Sequence, residues 1–234
     1  GNGTSGVLIW GAQQERSSTA RTYIPTTTAA VYGPRFDHDP VTLACKGLLI
    51  EESRTNIMTR SQDFTTGWTP TNLQTVTSGF TSPAGDSTAC SLVENNLSGI
   101  HSTQLASPSA VTAGSPYTGS VYAKENGATS FQLVFSTTGL GAGYANFVLS
   151  GSGSVGTLSG VTATIERLTD GWYRCSMTVA SAAGSIANSS ILVIALNDNN
   201  GSAARSPSYL GDNATGIFVW GAQLELGAFP TSYI

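Results

Sequence analysis

Charge is what this sequence has least of. Acidic and basic side chains make up 10% of its 234 residues, well under the roughly 25% of an ordinary soluble domain. Lys46 and Lys124 are the only lysines, and the arginines are scattered. A nucleic-acid groove needs a basic stripe to neutralise phosphates, so nucleic acid is excluded as a partner. No apolar run approaches the length of a bilayer-spanning helix, which excludes membrane insertion by that route. Cysteine is scarce too. Cys45, Cys90 and Cys175 are odd in number and widely spaced, which suits neither a disulfide framework nor a zinc site. All three read as structural thiols; Cys175 falls in the strand pattern Trp172-Tyr-Arg-Cys-Ser-Met177, where a buried thiol acts as a small hydrophobe.

Catalytic signatures are equally thin. The two histidines, His38 and His101, are far apart, and there is no HExxH, CxxC or Gly-x-Ser-x-Gly. A chain this rich in serine offers a Ser-His-Asp combination by chance. Glycoside hydrolysis needs two carboxylates facing each other across a sugar. Glu51 and Glu52 are neighbours on an expected strand and so point to opposite faces. Glu94, Glu166 and Asp170 could border a groove, but they read more simply as solvated loop and strand-edge acids. The chain therefore reads as non-enzymatic, with no catalytic or metal-ligating residues and no cofactor. Asp37-His38-Asp39, Asn197-Asp-Asn-Asn200 and Asp212-Asn213 offer oxygens that a structural calcium ion could use. None has EF-hand spacing, and turn-forming Asn and Asp are the commoner explanation.

What is there is hydroxyl, amide, glycine and a hydrophobic fraction of 40%, with a net charge of −4. A surface polar through hydroxyls rather than charges suits extracellular β-proteins, fibres and sugar-binding modules, and lets identical copies pack closely. The opening Gly1–Gly6 is polar and lacks a Met, so the chain reads as a fragment of a longer polypeptide.

The ends of the chain repeat one another. Residues 1–13, ending Val7-Leu-Ile-Trp-Gly-Ala-Gln13, align without a gap on 211–223, ending Ile217-Phe-Val-Trp-Gly-Ala-Gln223; the match runs on through Glu15 and Glu225 to Tyr23-Ile24 and Tyr233-Ile234. One repeat spaced a domain apart suggests tandem modules. Residues 1–27 read as the terminal strand of a preceding unit, which must pair with this module or a neighbour. Residues 28–56 read as an extended linker, rich in Pro and Thr, that ends in a strand at Gly47-Leu-Leu-Ile-Glu-Glu52. Residues 57–234 read as one module of short strands.

Its candidate strands are 73–77, 88–94, 116–124, 130–136, 144–149, 160–168, 171–180, 190–196 and 216–223, with Gly151–Gly160 between two of them as a loop. Asp170-Gly171 between two strand patterns signals a tight hairpin. Nowhere does a 3.6-residue apolar period last long enough for a substantial helix. The expected fold is all-β, a jelly-roll β-sandwich of two antiparallel sheets preceded by a strand and linker segment. Sugar binding in such a fold would use aromatic platforms near loops. Trp68, Tyr144 and Tyr209 lie near loop signals and are the candidate glycan-binding residues. Trp10, Trp220, Trp172 and Tyr173 sit in strand patterns and are assigned to the core.

Several motifs occur together in a characteristic order: Pro34-Arg-Phe-Asp-His-Asp-Pro40, Gly47-Leu-Leu-Ile-Glu-Glu-Ser-Arg-Thr-Asn56, Ser61-Gln-Asp-Phe64, Trp68, Tyr117-Thr-Gly-Ser-Val-Tyr-Ala-Lys124, Asp170-Gly-Trp-Tyr-Arg174 and Trp220-Gly-Ala-Gln-Leu-Glu225. In this the chain resembles bacteriophage structural modules of the head-spike, head-fibre and tail-fibre kind, which themselves resemble carbohydrate-binding jelly rolls. It departs from them at Gln14-Glu-Arg-Ser-Ser18, where the second copy has the more apolar Leu224-Glu-Leu-Gly-Ala228. The resemblance implies a virion structural protein, a fibre, spike or capsid decoration on the particle exterior. It implies self-association as a homotrimer, contact with other virion proteins and adhesion to host-surface glycans. Two alternatives stand beside it: a dedicated receptor- or carbohydrate-binding module of a tail fibre, and an accessory domain of a polysaccharide depolymerase.

Overall fold

The computed structural model describes residues 35–188 and 191–234. The expected strand at 1–27, with Trp10, lies outside them. The chain divides into two compact units, residues 1–38 with 45–50 and residues 39–44 with 51–234. The described part of the first is a short antiparallel hairpin, β1 (Phe36–His38) on β2 (Cys45–Leu48). Its second strand starts and stops earlier than the apolar run Leu48-Leu-Ile50 suggests, and Glu51-Glu52 are not in a strand.

The second unit is all-β, as expected. Its strands are β3 (Thr69–Thr71), β4 (Thr77–Phe80), β5 (Ala89–Val93), β6 (Ser98–Gly99), β7 (Ser102–Ala106), β8 (Tyr117–Asn126), β9 (Ser130–Phe135) and β10 (Tyr144–Val148), then β11 (Ser154–Ser159), β12 (Thr162–Arg167), β13 (Trp172–Val179), β14 (Ile191–Leu196), β15 (Tyr209–Leu210) and β16 (Gly216–Leu226). Twelve of these form two six-stranded sheets, one ordered β11-β10-β9-β14-β7-β3 and the other β12-β13-β8-β16-β5-β4. We call them the first and second sheet. Among the described residues the strands within each sheet pair antiparallel and the chain crosses between the sheets repeatedly, the arrangement of a jelly-roll sandwich. The short pair β15-β6 lies apart from both sheets.

Alternation along the strands sets the core. Phe131, Leu133 and Phe135 of β9, Phe147 of β10 and Leu192 and Ile194 of β14 point inward from the first sheet. Val121, Cys175, Met177, Ile217 and Leu224 meet them from the second. Burial of each large side chain stabilises the sandwich by about 1.5–3 kcal/mol. Gly119 lets the sheets close up, since a Cβ there would come within 2.9 Å of the Phe135 ring.

The repeated Trp-Gly-Ala-Gln motif has a mechanical role in β16. Trp220 pairs with Tyr122 and Gln223 with Ser120, so β16 carries one residue more than β8 between those rungs. Gly221 absorbs the extra residue in a bulge at φ +64°. Ile217 and Val219 face the core before the bulge, and Ala222 and Leu224 after it. The inward set thus shifts from odd to even numbers, and Gln223 and Glu225 face away from the core. Trp172, Trp220 and Tyr173 are buried as expected, the two tryptophans in a second cluster with Tyr122. The hairpin at Asp170-Gly171 also forms as expected, both residues taking positive φ, 56° and 77°.

Other expectations need correction. Gly151–Gly160 is not merely a loop, because it contains β11. The expected strand at 73–77 sits later, at 77–80. β3, β6, β7 and β15 carry too little apolar alternation to be read from sequence. Glu94 is not a solvated acid. It is 3% exposed, and its carboxylate accepts Tyr209 Oη at 2.6 Å and the Asp212 N–H at 3.1 Å.

Candidate functional site

The face of the first sheet that points away from the core carries a row of cross-strand neighbours. Tyr144 pairs with Val134, Val134 with Val193, Val193 with Gln104, and Gln104 with Thr69. The next row runs Asn146, Gln132, Ala195, Ser102, Thr71 by the same registers. Half of this face is covered. The loop after β14 folds back over β9 and β10, held by a buried amide network. Gln132 Nε2 donates to Asn146 Oδ1 and to the Ala204 carbonyl, each at 3.0 Å. Asn146 Nδ2 donates to the Ala203 and Thr157 carbonyls at 2.8 Å. Asn197 Nδ2 donates to Asn146 Oδ1 at 3.0 Å, and Asn197 Oδ1 accepts from Ser130 Oγ at 2.8 Å. Every amide is fully or almost fully buried and answered by a partner, which is what makes a polar network stabilising rather than costly.

The uncovered half is a cleft of about 330 Å³. Val134 and Val193 form its apolar floor, with Gln104, Ser102 and Thr71 beside them. Ile100, Arg205, Ser206, Ser136 and Thr137 complete the lining. This combination of an apolar floor with convergent hydroxyl and amide groups is what a sugar needs, since its ring has C–H faces and a hydroxyl rim. Arg205 is the one ionisable side chain in the lining. Its Nη2 donates to the Phe135 carbonyl at 2.9 Å, which fixes the guanidinium against the end of β9.

The three aromatic candidates are not brought together. Trp68 is 5% exposed; its ring lies 4.7 Å from that of Phe64 and its Nε1–H donates to the Arg60 carbonyl. It is a core residue with no face free for a sugar. Tyr209 is half-buried; its ring packs 4.6 Å from His101 and its hydroxyl is committed to Glu94. Burial and that carboxylate push the Tyr209 phenol far above its ordinary range, and burial raises Glu94. Tyr144 alone belongs to the outward row, half-buried at the end nearest the covering loop.

Several of the oxygens weighed for calcium accept hydrogen bonds from within the protein. Asn199 Oδ1 accepts from the Thr129 N–H at 2.6 Å and Asn200 Oδ1 from the Ser202 N–H at 2.9 Å. Asp212 accepts from Ala214, Thr215 N–H and Thr215 Oγ1, and these bonds hold its carboxyl down at about 2. Asp39 Oδ1 accepts from the Val41 and Thr42 N–H groups. Among the described residues no cluster of three or more His, Cys, Asp or Glu could hold a metal ion.

Sequence reasoning missed the cleft because no motif marks it. Arg205 and Ser206 sit in Ser202-Ala-Ala-Arg-Ser206, a stretch without periodicity, and the rest of the lining comes from four strands, β3, β7, β9 and β14, or their flanks.

No protein-family model matches the chain, and no curated protein matches it. Among solved structures it is similar to the CBM22-1 xylan-binding domain from Paenibacillus barcinonensis Xyn10C, with a TM-score of 0.41 and 14% identity over 77% of this chain and 100% of that one.

Proposed function

We propose that this chain is a non-catalytic, glycan-adhering β-sandwich module of a bacteriophage virion, displayed on the outside of the particle as part of a fibre, spike or decoration. The observation that carries the glycan reading is the cleft on the outward face of the first sheet, with its valine floor and its hydroxyl, amide and guanidinium walls. The virion reading is supported by the ordered motifs and by the terminal repeat. Two of those motifs have a clear structural reason, the Asp170-Gly171 hairpin and the Trp220-Gly221 bulge. Self-association is supported by low surface charge and by Leu226, Phe229 and Ile234, all about half exposed along the C-terminal segment.

A glycan array probed with the whole chain and with Val193→Trp tests the adhesion. The tryptophan fills the cleft floor on an outward position, so a bound glycan should lose at least about tenfold in affinity, or 1.4 kcal/mol. Identical binding patterns for the two proteins would remove the cleft from consideration. Mass photometry across a wide concentration range tests assembly, and a monomer throughout would count against a fibre role.

A further inference from the structure

We infer that the cleft takes an acidic glycan, a sugar chain bearing carboxylate groups, with Arg205 as the group that selects for the charge. This rests on the glycan reading of the same cleft.

The argument begins with the state of the guanidinium. Arg205 donates once, from Nη2 to the Phe135 carbonyl, and its Nε is enclosed without any hydrogen-bond partner. No ion pair to Arg205 exists among the described residues, and no carboxylate lines the cleft. This contrasts with Arg54, which pairs with Glu52 at 2.8 Å and approaches Glu225 at 3.9 Å. A cation partly withdrawn from water and left without a counter-charge is unfavourable, and an anion that reaches it recovers that loss. Arginine is the side chain best suited to a planar carboxylate, because its donors lie in a fixed fork.

The chain's overall balance sharpens the point. At a net charge of −4 the protein as a whole does not attract polyanions, so preference for one must come from a local positive site. Ser206, Gln104 and Ser102 supply the neutral hydrogen bonds that a sugar's hydroxyls need, and half-buried Val193 supplies the surface for its C–H face. The loop that carries Arg205 is anchored on either side of it, by Gln132 Nε2 to the Ala204 carbonyl and by the Ser206 N–H to Gln132 Oε1 at 2.7 Å. The cation is therefore held in place before a ligand arrives, which lowers the ordering cost of binding.

The test is affinity electrophoresis of the whole chain through gels containing polygalacturonate, polysialate, or polygalacturonate whose carboxyl groups have been reduced to alcohols. The first two distinguish a uronate from a sialate as the source of the carboxylate. Retardation should be strongest in one of the charged gels and fall at least about tenfold on carboxyl reduction, as expected for a hydrogen-bonded charge contact. Arg205→Gln should remove that preference, while Arg205→Lys, which keeps the charge without the fork, should retain part of it. Circular dichroism melts establish that both variants fold. Equal retardation by charged and reduced chains, abolished by Val193→Trp, would leave the cleft a glycan site and overturn the charge assignment. Retardation by none of the three polymers, with a glycan array bound through the cleft only at neutral sugars, would overturn it as well. A blank array together with no retardation would overturn both readings.

Discussion

Glu225 offers the most demanding test of how this sandwich is closed. It faces outward from β16 yet is fully buried, because the C-terminal segment folds over it. Its carboxylate accepts from the Thr231 N–H at 3.0 Å, from Thr231 Oγ1 at 2.7 Å and from Gln223 Nε2 at 3.3 Å, and Arg54 Nη1 stands 3.9 Å away. Gln223 in turn accepts the Ile234 N–H at 2.7 Å, and Tyr233 packs its ring 4.3 Å from Trp220. Glu225→Ala removes the acceptor at the centre of this lock. Two Thr231 donors lose their partner, and the partly buried guanidinium keeps only the exposed Glu52 as its counter-charge.

Breaking a buried charged contact from one side costs about 3–5 kcal/mol. For a chain of this size each kcal/mol shifts the melting midpoint by about 2–4 °C, so Glu225→Ala should melt roughly 6–20 °C lower. Thr231→Val removes only the hydroxyl and should cost about 1–2 kcal/mol. The double variant should fall short of the sum by about 0.5–3 kcal/mol, since the two groups share one bond. Urea denaturation followed by tryptophan fluorescence measures all three, because Trp220 lies under the segment being released. A loss below about 1 kcal/mol for Glu225→Ala, or strict additivity in the cycle, would refute the view that this carboxylate fastens the C-terminal segment. Glu52→Ala is the control. Its ion pair with Arg54 is solvent-exposed on the glutamate side, and such pairs contribute about 0–1 kcal/mol.

Further outcomes follow from the same contacts. Trp68→Ala should cost about 3–5 kcal/mol in denaturation, as large aromatic truncations in cores do, whereas Tyr144→Ala on the outward row should cost far less; equal losses would contradict their different burial. Gly156→Ala places a Cβ 1.9 Å from the Gly201 carbonyl oxygen, so it should push the covering loop off β11, cost about 1–3 kcal/mol and weaken any ligand held by Arg205; a neutral result would show that the loop is not packed there. Stability should fall as acid is added below the ordinary aspartate value of 3.8 and towards about 2, because Asp212 is held down in the folded state by its bonds to Thr215 and Ala214. The sign follows from the unfolded chain binding that proton first, and Asp63 and Asp86, also lowered, add to it. Asp212→Asn should flatten this acid limb in a pH series of urea midpoints. A thiol reagent should label Cys45 in the native protein but not Cys90 or Cys175, which are buried with their thiols raised by desolvation; labelling of two or more would contradict the burial.

Much of the fold was legible in the sequence where one physical signal dominated. Phe131-Gln-Leu-Val-Phe135 and Tyr117–Lys124 alternate cleanly, and Asp170-Gly171 has the residues that a two-residue turn with positive φ requires. The strands that escaped reading lack that signal for particular reasons. β7 is Ser102-Thr-Gln-Leu-Ala106, whose inward Thr103 and outward Gln104 do not differ in polarity. β11 contains Gly156, which reads as loop but is needed where the Gly201 carbonyl comes close. The candidate site was far less legible. Trp68 lies near loop signals and so read as a candidate sugar platform, but its indole is buried against Phe64. Glu94 looked like a strand-edge acid, although distant Tyr209 and Asp212 supply the donors that keep it inside. Arg205 carried no signal at all, since what makes it unusual is the absence of a carboxylate around it, and that depends on the placement of β3, β7, β9 and β14.

The two outward faces of the sandwich show how the same polar composition can be used in opposite ways. On the second sheet, outward Gln223 and Glu225 are used up by the chain's own C-terminal segment, and Tyr233 completes the cover over Trp220. On the first sheet, outward Gln132 and Asn146 are used up by the covering loop. Gln104 and Ser102, in the same two rows, instead face a cleft with Arg205 at its edge. If polar side chains on these faces served only to keep the protein soluble, there would be no reason for an elaborate amide network to anchor a loop on one half of the sheet and stop. The network positions Arg205 and Ser206 at the boundary between the covered and open halves, and the loop's fixed backbone makes that boundary a wall. In the proposed glycan reading, recognition is set by where the cover ends, so lengthening or loosening the segment from 197 to 206 should alter recognition before it alters the fold.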